Sequence, residues 1–279
     1  MTVETTLRER TETEQLERIR SSLSTLKMKA SAALFEALLE SSAAMPSTLD
    51  LLSRLLETEV AARRERSIAS RIKRARFPAP KTLEQFDFAF QTGVDRAEIE
   101  RLATLSWLER RQSLVFGGMS GTGKSHLAVA LGHMACVAGY RVLYTTSASM
   151  LSDLHLAHAT QTLAKSLRPY LRCELLIIDE VGLDLPERQQ PGAYDAGLFY
   201  KVIAGRYEKT RSTILTSNID WENWGEYLGD EVASAAILDR LVHHSYTINI
   251  DGPSYRMAQH ERLNHGDEVG DETDTDPSE

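Results

Sequence analysis

Along residues 1–75 apolar side chains recur at helical spacing: Leu16, Ile19, Leu23 and Leu26 first, then Leu34 and Leu38, then Leu51 and Leu55. Steps of three and four residues put such side chains on one face of a helix, so this region predicts helices. Pro46 and its polar neighbours break the second helix from the third. Phe77-Pro78-Ala79-Pro80 ends the helical region, because a residue before proline avoids helical ψ. The pattern then changes. A helix around Asp95–Glu109 leads into short apolar runs that alternate with helical stretches: Leu114–Phe116, Val142–Thr145, Leu175–Asp179, Thr213–Thr216 and Tyr246–Ile250. Strands alternating with helices predict a parallel sheet covered on both faces. The expected division is a helical N-terminal domain over 1–75, a linker over 76–90, an α/β domain over 91–265 and a tail over 266–279, with no internal repeat.

The first of these strands opens into Gly118-Met119-Ser120-Gly121-Thr122-Gly123-Lys124-Ser125, a fit to G-x-x-x-x-G-K-[ST], and His126–Val137 reads as a helix after it. Strand, loop and helix in that order are the context a phosphate-binding P-loop demands. Glycines let successive N–H groups face phosphates, and a helix N-terminus adds a favourable field for anions. Lys124 is the candidate cation for the β- and γ-phosphates and Ser125 a candidate Mg²⁺ ligand, with His126 grouped beside them; ATP with Mg²⁺ is the expected ligand. The run Glu174–Glu180 ends in two acids at the carboxyl end of a strand, where open α/β sheets bind ligands. Asp179 is the candidate for holding the metal, and Glu180 for orienting and deprotonating the attacking water. Asn218, closing Thr213–Asn218, is placed to reach the γ-phosphate or that water. Arg240 lies in a helical stretch, Ala235–Leu241. An arginine from a neighbouring subunit can stabilise charge in phosphoryl transfer; a local pair with Asp239 is the other reading these residues allow.

Taken in order, these stretches resemble the IstB-type transposition helper ATPases, an AAA+ family related to the DnaC-type helicase loaders. The resemblance runs from about Glu14 to Arg256. It rests on Arg76-Phe77-Pro78, Lys81–Phe88, the P-loop with His126-Leu127-Ala128, Leu175–Val181, Arg206-Tyr207-Glu208, Leu215–Asn218, Ala236–His244 and Ser254-Tyr255-Arg256. It implies a P-loop NTPase fold of the AAA+ kind, with Asn218 as sensor 1 and Arg240 as a finger acting across the subunit interfaces of a homo-oligomer. DNA and a co-encoded transposase are the implied partners. Two departures stand out. Leu185–Ala196 reads as a loop longer than the family's usual one. Only a short stretch follows Tyr246–Ile250, too little for a helical lid, which leaves Arg256 as the candidate sensor 2 substitute.

Composition adds little until charge is located. Hydrophobic content of 42% and charged content of 26% suit a globular protein. No apolar stretch is long enough for a membrane span, the N-terminal residues do not read as a signal sequence, and a cytoplasmic location is expected. Cys136 and Cys173 lack metal-ligand spacing and read as reduced core residues. The net charge of −8 is concentrated at one end: Asp267, Glu268, Asp271, Glu272, Asp274, Asp276 and Glu279 account for all but one of the excess negative charges. That tail is expected to be disordered. Basic charge gathers in Arg54–Arg76, where Arg63, Arg64, Arg71 and Arg74 fall within roughly a quarter-turn at about 100° per residue. Such a stripe suits phosphate-backbone contact or a solvated helix face with local glutamate pairs. The family resemblance implies DNA; the stripe offers phosphate contacts and no base-reading element, so binding without sequence preference is expected, and the transposition reading favours duplex.

The expectation is therefore an ATPase that assembles on DNA and assists a transposase in target selection or strand transfer. A helicase loader acting on single-stranded DNA and a non-hydrolysing adaptor clamped by nucleotide are the alternatives. Asp179 and Glu180 together weigh against the adaptor.

Overall fold

A computed structural model describes residues 3–41, 46–183 and 193–266. The chain divides into two compact units, one up to Ser70 and one from Arg71. Helices α1 (Val3–Thr25), α2 (Lys29–Glu40) and α3 (Thr48–Ala75) build the first, the last turn of α3 belonging to the second. The core of the first unit is thin: Leu23 and Phe35 are its buried apolar side chains among the described residues. A polar tie does much of the fixing. The buried Glu59 carboxylate accepts N–H bonds from Ala30 (3.0 Å) and Ser31 (3.4 Å) in the first turn of α2, and from Arg63 and Arg66 (2.9 Å each). An anion there satisfies orphan helix donors and complements the helix dipole.

The second unit continues with α4 (Arg96–Ala103), α5 (Ser106–Glu109), β1 (Ser113–Gly117), α6 (Lys124–Ala138), β2 (Val142–Thr146), α7 (Ser147–Ala159), α8 (Leu163–Arg172), β3 (Leu175–Val181), α9 (Ala193–Glu208), β4 (Ser212–Ser217), α10 (Trp224–Leu228), α11 (Glu231–His243), β5 (Ser245–Asn249) and α12 (Tyr255–Gly266). The strands form one parallel sheet in the order β2-β3-β4-β1-β5. Its two faces feed separate cores. Leu114, Phe116, Leu175, Ile177, Ile214 and Ile248 pack with Leu127 and Leu131 of α6, while Val115, Leu176, Ile178 and Leu215 pack with Phe199 and Val202 of α9. Alternate residues of β1, β3 and β4 thus point to opposite cores, which is why a strand such as β3 reads as an apolar run, whereas edge strand β5 buries Ile248 alone. Both cysteines are buried and free.

Two sequence expectations need correction. The helix expected over Asp95–Glu109 is two helices, α4 and α5. Leu105 between them takes a left-handed φ of 60°, and the buried Trp107 indole N–H donates to the Leu102 carbonyl (2.9 Å), locking the break. The loop expected over Leu185–Ala196 ends sooner, because Ala193–Ala196 form the first turn of α9. Asp195 in that turn complements the helix dipole, and Ala196 is fully buried. Residues 185–192 of the expected loop, and the acidic tail from Asp267 onward, lie outside the described residues.

Candidate nucleotide-binding site

Strand order decides what meets what. β4 lies between β1 and β3, so the turn leaving β1 and the acids ending β3 flank the tip of β4. Gly118, Gly121 and Gly123 have φ of 131°, 84° and 97°, a region side chains rarely adopt. At Gly123 a Cβ would also lie 2.5 Å from the Phe86 ring, so the loop's close fit excludes any side chain. Lys124 starts α6 and is 4% exposed; its Nζ donates to the carbonyls of Gly118 (2.7 Å) and Met119 (2.6 Å). Burial pulls the Lys124 ammonium down to about 8, with Asp179 opposing that shift and Arg256 adding to it. Thr122 donates to the Met119 carbonyl (2.9 Å), pinning the loop's far side.

Asp179 is 1% exposed and converges with side chains from three other elements. Ser125 Oγ of α6 donates to its Oδ1 (2.8 Å), Tyr144 of β2 donates to its Oδ2 (2.7 Å), and Thr216 of β4 donates to Oδ1. Burial, then the Asp179 charge, push the Tyr144 phenol well above its ordinary range, so it stays a donor. Glu180, half-buried, has φ of 63°, and the β3–β4 register shifts between Ile178 and Val181. Its N–H donates to Thr216 Oγ1 (2.9 Å). A non-glycine residue in left-handed conformation inside a strand is strained, and such strain persists only where neighbours enforce it. Thr216 enforces it here, one hydroxyl serving both the Glu180 backbone and the Asp179 carboxylate. Asn218 lies two residues on, just past the end of β4, and its N–H donates to the Val181 carbonyl (3.0 Å), which brings it to the end of the strand that carries the two acids.

The chain on either side of the α/β core closes on the P-loop. The Tyr255 N–H, at the start of α12, donates to the Gly121 carbonyl (3.0 Å), and the Tyr255 ring meets Phe90 edge-on. Gln91 Nε2 donates to the carbonyls of Thr122 (3.1 Å) and Pro253 (3.3 Å). Arg256 follows Tyr255, close enough for its charge to act on Lys124. His126 is turned to the linker: its Nε2 donates to the Thr82 carbonyl (2.7 Å) and its ring meets Phe86.

Arg240 is elsewhere. It lines a cavity with Ser113, the first residue of β1, whereas the P-loop leaves the other end of that strand, roughly 13 Å away at about 3.3 Å per residue. Its guanidinium lies 5.0 Å over the Tyr200 ring and donates to the Ala236 carbonyl (2.8 Å). Among the basic-stripe residues, Arg63 is tied to Glu59 and the Leu26 carbonyl, and Arg71 donates to the Cys136 carbonyl (3.3 Å). Arg64 and Arg74 are exposed.

Lys124, the buried Asp179 bonded to Ser125 and the strained Glu180 stand together at the carboxyl end of the sheet. The model of the IstB-like ATP binding protein family matches residues 21–263. The chain belongs to that family. A Pseudomonas aeruginosa protein named for ATP binding in insertion sequence IS21 is 42% identical over 85% of this chain and 88% of its own length. A Geobacillus stearothermophilus protein named likewise for insertion sequence IS5376 is 40% identical over 75% and 81%. The crystal structure of DnaI, 20% identical, superposes with a TM-score of 0.51 over 61% of this chain and 91% of that one. The fold of this IstB-like chain is thus the P-loop AAA+ fold: a parallel sheet flanked by helices, after a helical N-terminal region.

Sequence reasoning missed Tyr144, Thr216, Gln91 and Phe86 as parts of this IstB-like site. Thr216 carried a faint signal, a hydroxyl near a strand's carboxyl end two residues before Asn218. The others carry no local pattern, since only tertiary structure brings them to the P-loop.

Proposed function

We propose that this chain is a Mg²⁺-dependent ATPase that assembles on DNA as a homo-oligomer and assists the transposase of an insertion sequence in target selection or strand transfer. The observation that carries the reading is the Ser125–Asp179 contact with Glu180 held beside it. A hydroxyl next to a carboxylate is an oxygen donor set suited to Mg²⁺, which takes few protein ligands and keeps its waters. Ser125 and Asp179 would hold the ion, which when bound neutralises phosphate charge. The P-loop N–H groups cradle the triphosphate, and Lys124 offsets charge on its terminal phosphates. Glu180 takes the proton of the attacking water, Asn218 orients that water, and Arg256 adds positive charge beside Lys124.

The position of Arg240, a strand's length from its own P-loop, supports service to a neighbouring copy's nucleotide. The insertion-sequence names of the relatives support the transposition context. Arg63, Arg64, Arg71 and Arg74 are the proposed DNA contacts of the stripe; Arg63, Arg64 and Arg74 are exposed, and Arg63 and Arg71 also donate within the chain. Mixing Arg240→Ala with Glu180→Gln tests the assembly. Each alone has little turnover; together, with DNA present, they recover activity wherever an intact Arg240 meets an intact Glu180. Co-assembly without recovery would refute the trans role.

A further inference from the structure

The cavity that holds Arg240 is crowded with positive charge. Arg110, Arg111, Arg206 and Arg211 line it too, with His244 at one side. Among the described residues none of these five guanidiniums makes an ion pair with a carboxylate. Arg206 is 1% exposed, and its donors go to the carbonyls of Tyr170, Cys173, Glu174 and Ser212, the Thr213 hydroxyl and the Cys173 thiol. A buried guanidinium bonded to neutral groups alone keeps its field, and that field is felt in the cavity. Arg211 is half-buried at the entry to β4; the nearby Glu174 carboxylate is drawn first by Arg141 and only lastly by the charge of Arg211.

The rim is held in a set shape. Arg111 and Thr210 take left-handed φ of 59° and 49°, and Arg111 Nη1 donates to Thr210 Oγ1 (2.7 Å), cross-linking the turns that enter β1 and β4. Strained non-glycine residues locked to one another mark built sites more than ordinary turns. The cavity measures about 180 Å³, below the roughly 300–1,000 Å³ of sites that enclose a drug-sized ligand. It therefore accommodates an anionic group presented from outside and not an entire nucleotide.

We propose that this cavity is a receiving site for the terminal phosphates of the nucleotide bound to a second copy of the chain, with Arg211 and Arg110 binding those phosphates beside Arg240. This deepens the trans reading of Arg240 and rests on it. The fork of a guanidinium suits bidentate phosphate contact, and several around one opening match the spread negative charge of a triphosphate. Arg206 sets the field from behind. Arg111, spent on Thr210, holds the rim.

The test uses the full chain with ATP, Mg²⁺ and duplex DNA. Arg211→Ala is expected to leave binding of a fluorescent ATP analogue to the isolated chain unchanged and to lower turnover about tenfold, the loss of one charge-assisted contact. Mixed with Glu180→Gln, Arg211→Ala recovers turnover, as Arg240→Ala does. Arg211→Lys, which keeps the charge and is the safer variant for folding, falls between Arg211→Ala and the unchanged chain. Full turnover in Arg211→Ala, or reduced turnover that mixing does not restore while the copies co-assemble, overturns the proposal. If Arg240→Ala is rescued by mixing and Arg211→Ala is fully active, this inference alone fails; if Arg240→Ala itself keeps full turnover, the underlying trans reading fails.

Discussion

The two units of this chain solve the problem of stability differently. From Arg71 onward the protein is a sheet with a packed core on each face, in which residues such as Phe116, Leu127, Ile177 and Phe199 are fully buried. Up to Ser70 the described residues bury Leu23 and Phe35, while Leu49, Leu52, Leu56 and Val60 of α3 stay between 49% and 80% exposed. In the first unit the buried Glu59 takes the place of a core, receiving N–H groups of α2 and two arginines. Strain is stored where burial is in surplus. A left-handed Glu180 and a buried Lys124 each cost free energy, and only a region with surplus burial can hold them in place.

The comparison breaks first if core deletions do not separate the units. Phe116→Ala should remove about 3–5 kcal/mol and with it ATP binding. Phe35→Ala should melt helices of the first unit while ATP affinity stays within about twofold, as independent regions require. Circular dichroism melts alongside nucleotide titration check this, and equal loss of ATP binding in both variants would contradict it.

A second test stays inside the site. Thr216→Val removes the hydroxyl that holds both Glu180 and Asp179. Turnover should fall about 10–100-fold, the worth of one or two contacts to a charged group, with ATP affinity little changed. Thr216→Ser should retain most activity. Loss of affinity and turnover together would mean that Thr216 supports folding alone.

Lys124 gives a smaller, pH-dependent effect. Burial pulls its ammonium down to about 8. Phosphates favour the charged form, so binding above that pH must take up a proton, and affinity should weaken by up to about tenfold per pH unit as pH rises through 8 and beyond. Below about pH 7 the lysine is already protonated and the dependence from this group vanishes. Calorimetry in two buffers of different ionisation enthalpy reads the proton directly; absence of uptake at pH 8.5 would contradict the burial argument.

What was legible in the sequence was what is local. Gly118–Ser125 and Leu175–Glu180 each carry their candidate residues within one loop or one strand end, and β3 announced itself as an apolar run. Tyr144 was invisible and Thr216 only faintly marked because their partner, Asp179, lies on a different strand and only the order β2-β3-β4 brings them to it. The basic stripe shows the converse. Spacing on α3 grouped Arg63 with Arg64, Arg71 and Arg74, yet could not show that a buried Glu59 claims Arg63. The break at Leu105 escaped as well, since the Trp107–Leu102 bond that fixes it has no periodicity to betray it.

Whether the Asp179–Glu180 bulge is a hydrolytic site is decided by Mg²⁺-ATP binding and turnover in Glu180→Gln, on the full chain with duplex DNA. Glutamine keeps the size and the backbone bond to Thr216 and loses the proton acceptor. ATP affinity is expected to equal that of the unchanged chain, with turnover down by about 10²–10⁴-fold, the worth of a general base. Hydrolysis at the unmutated rate would contradict that role.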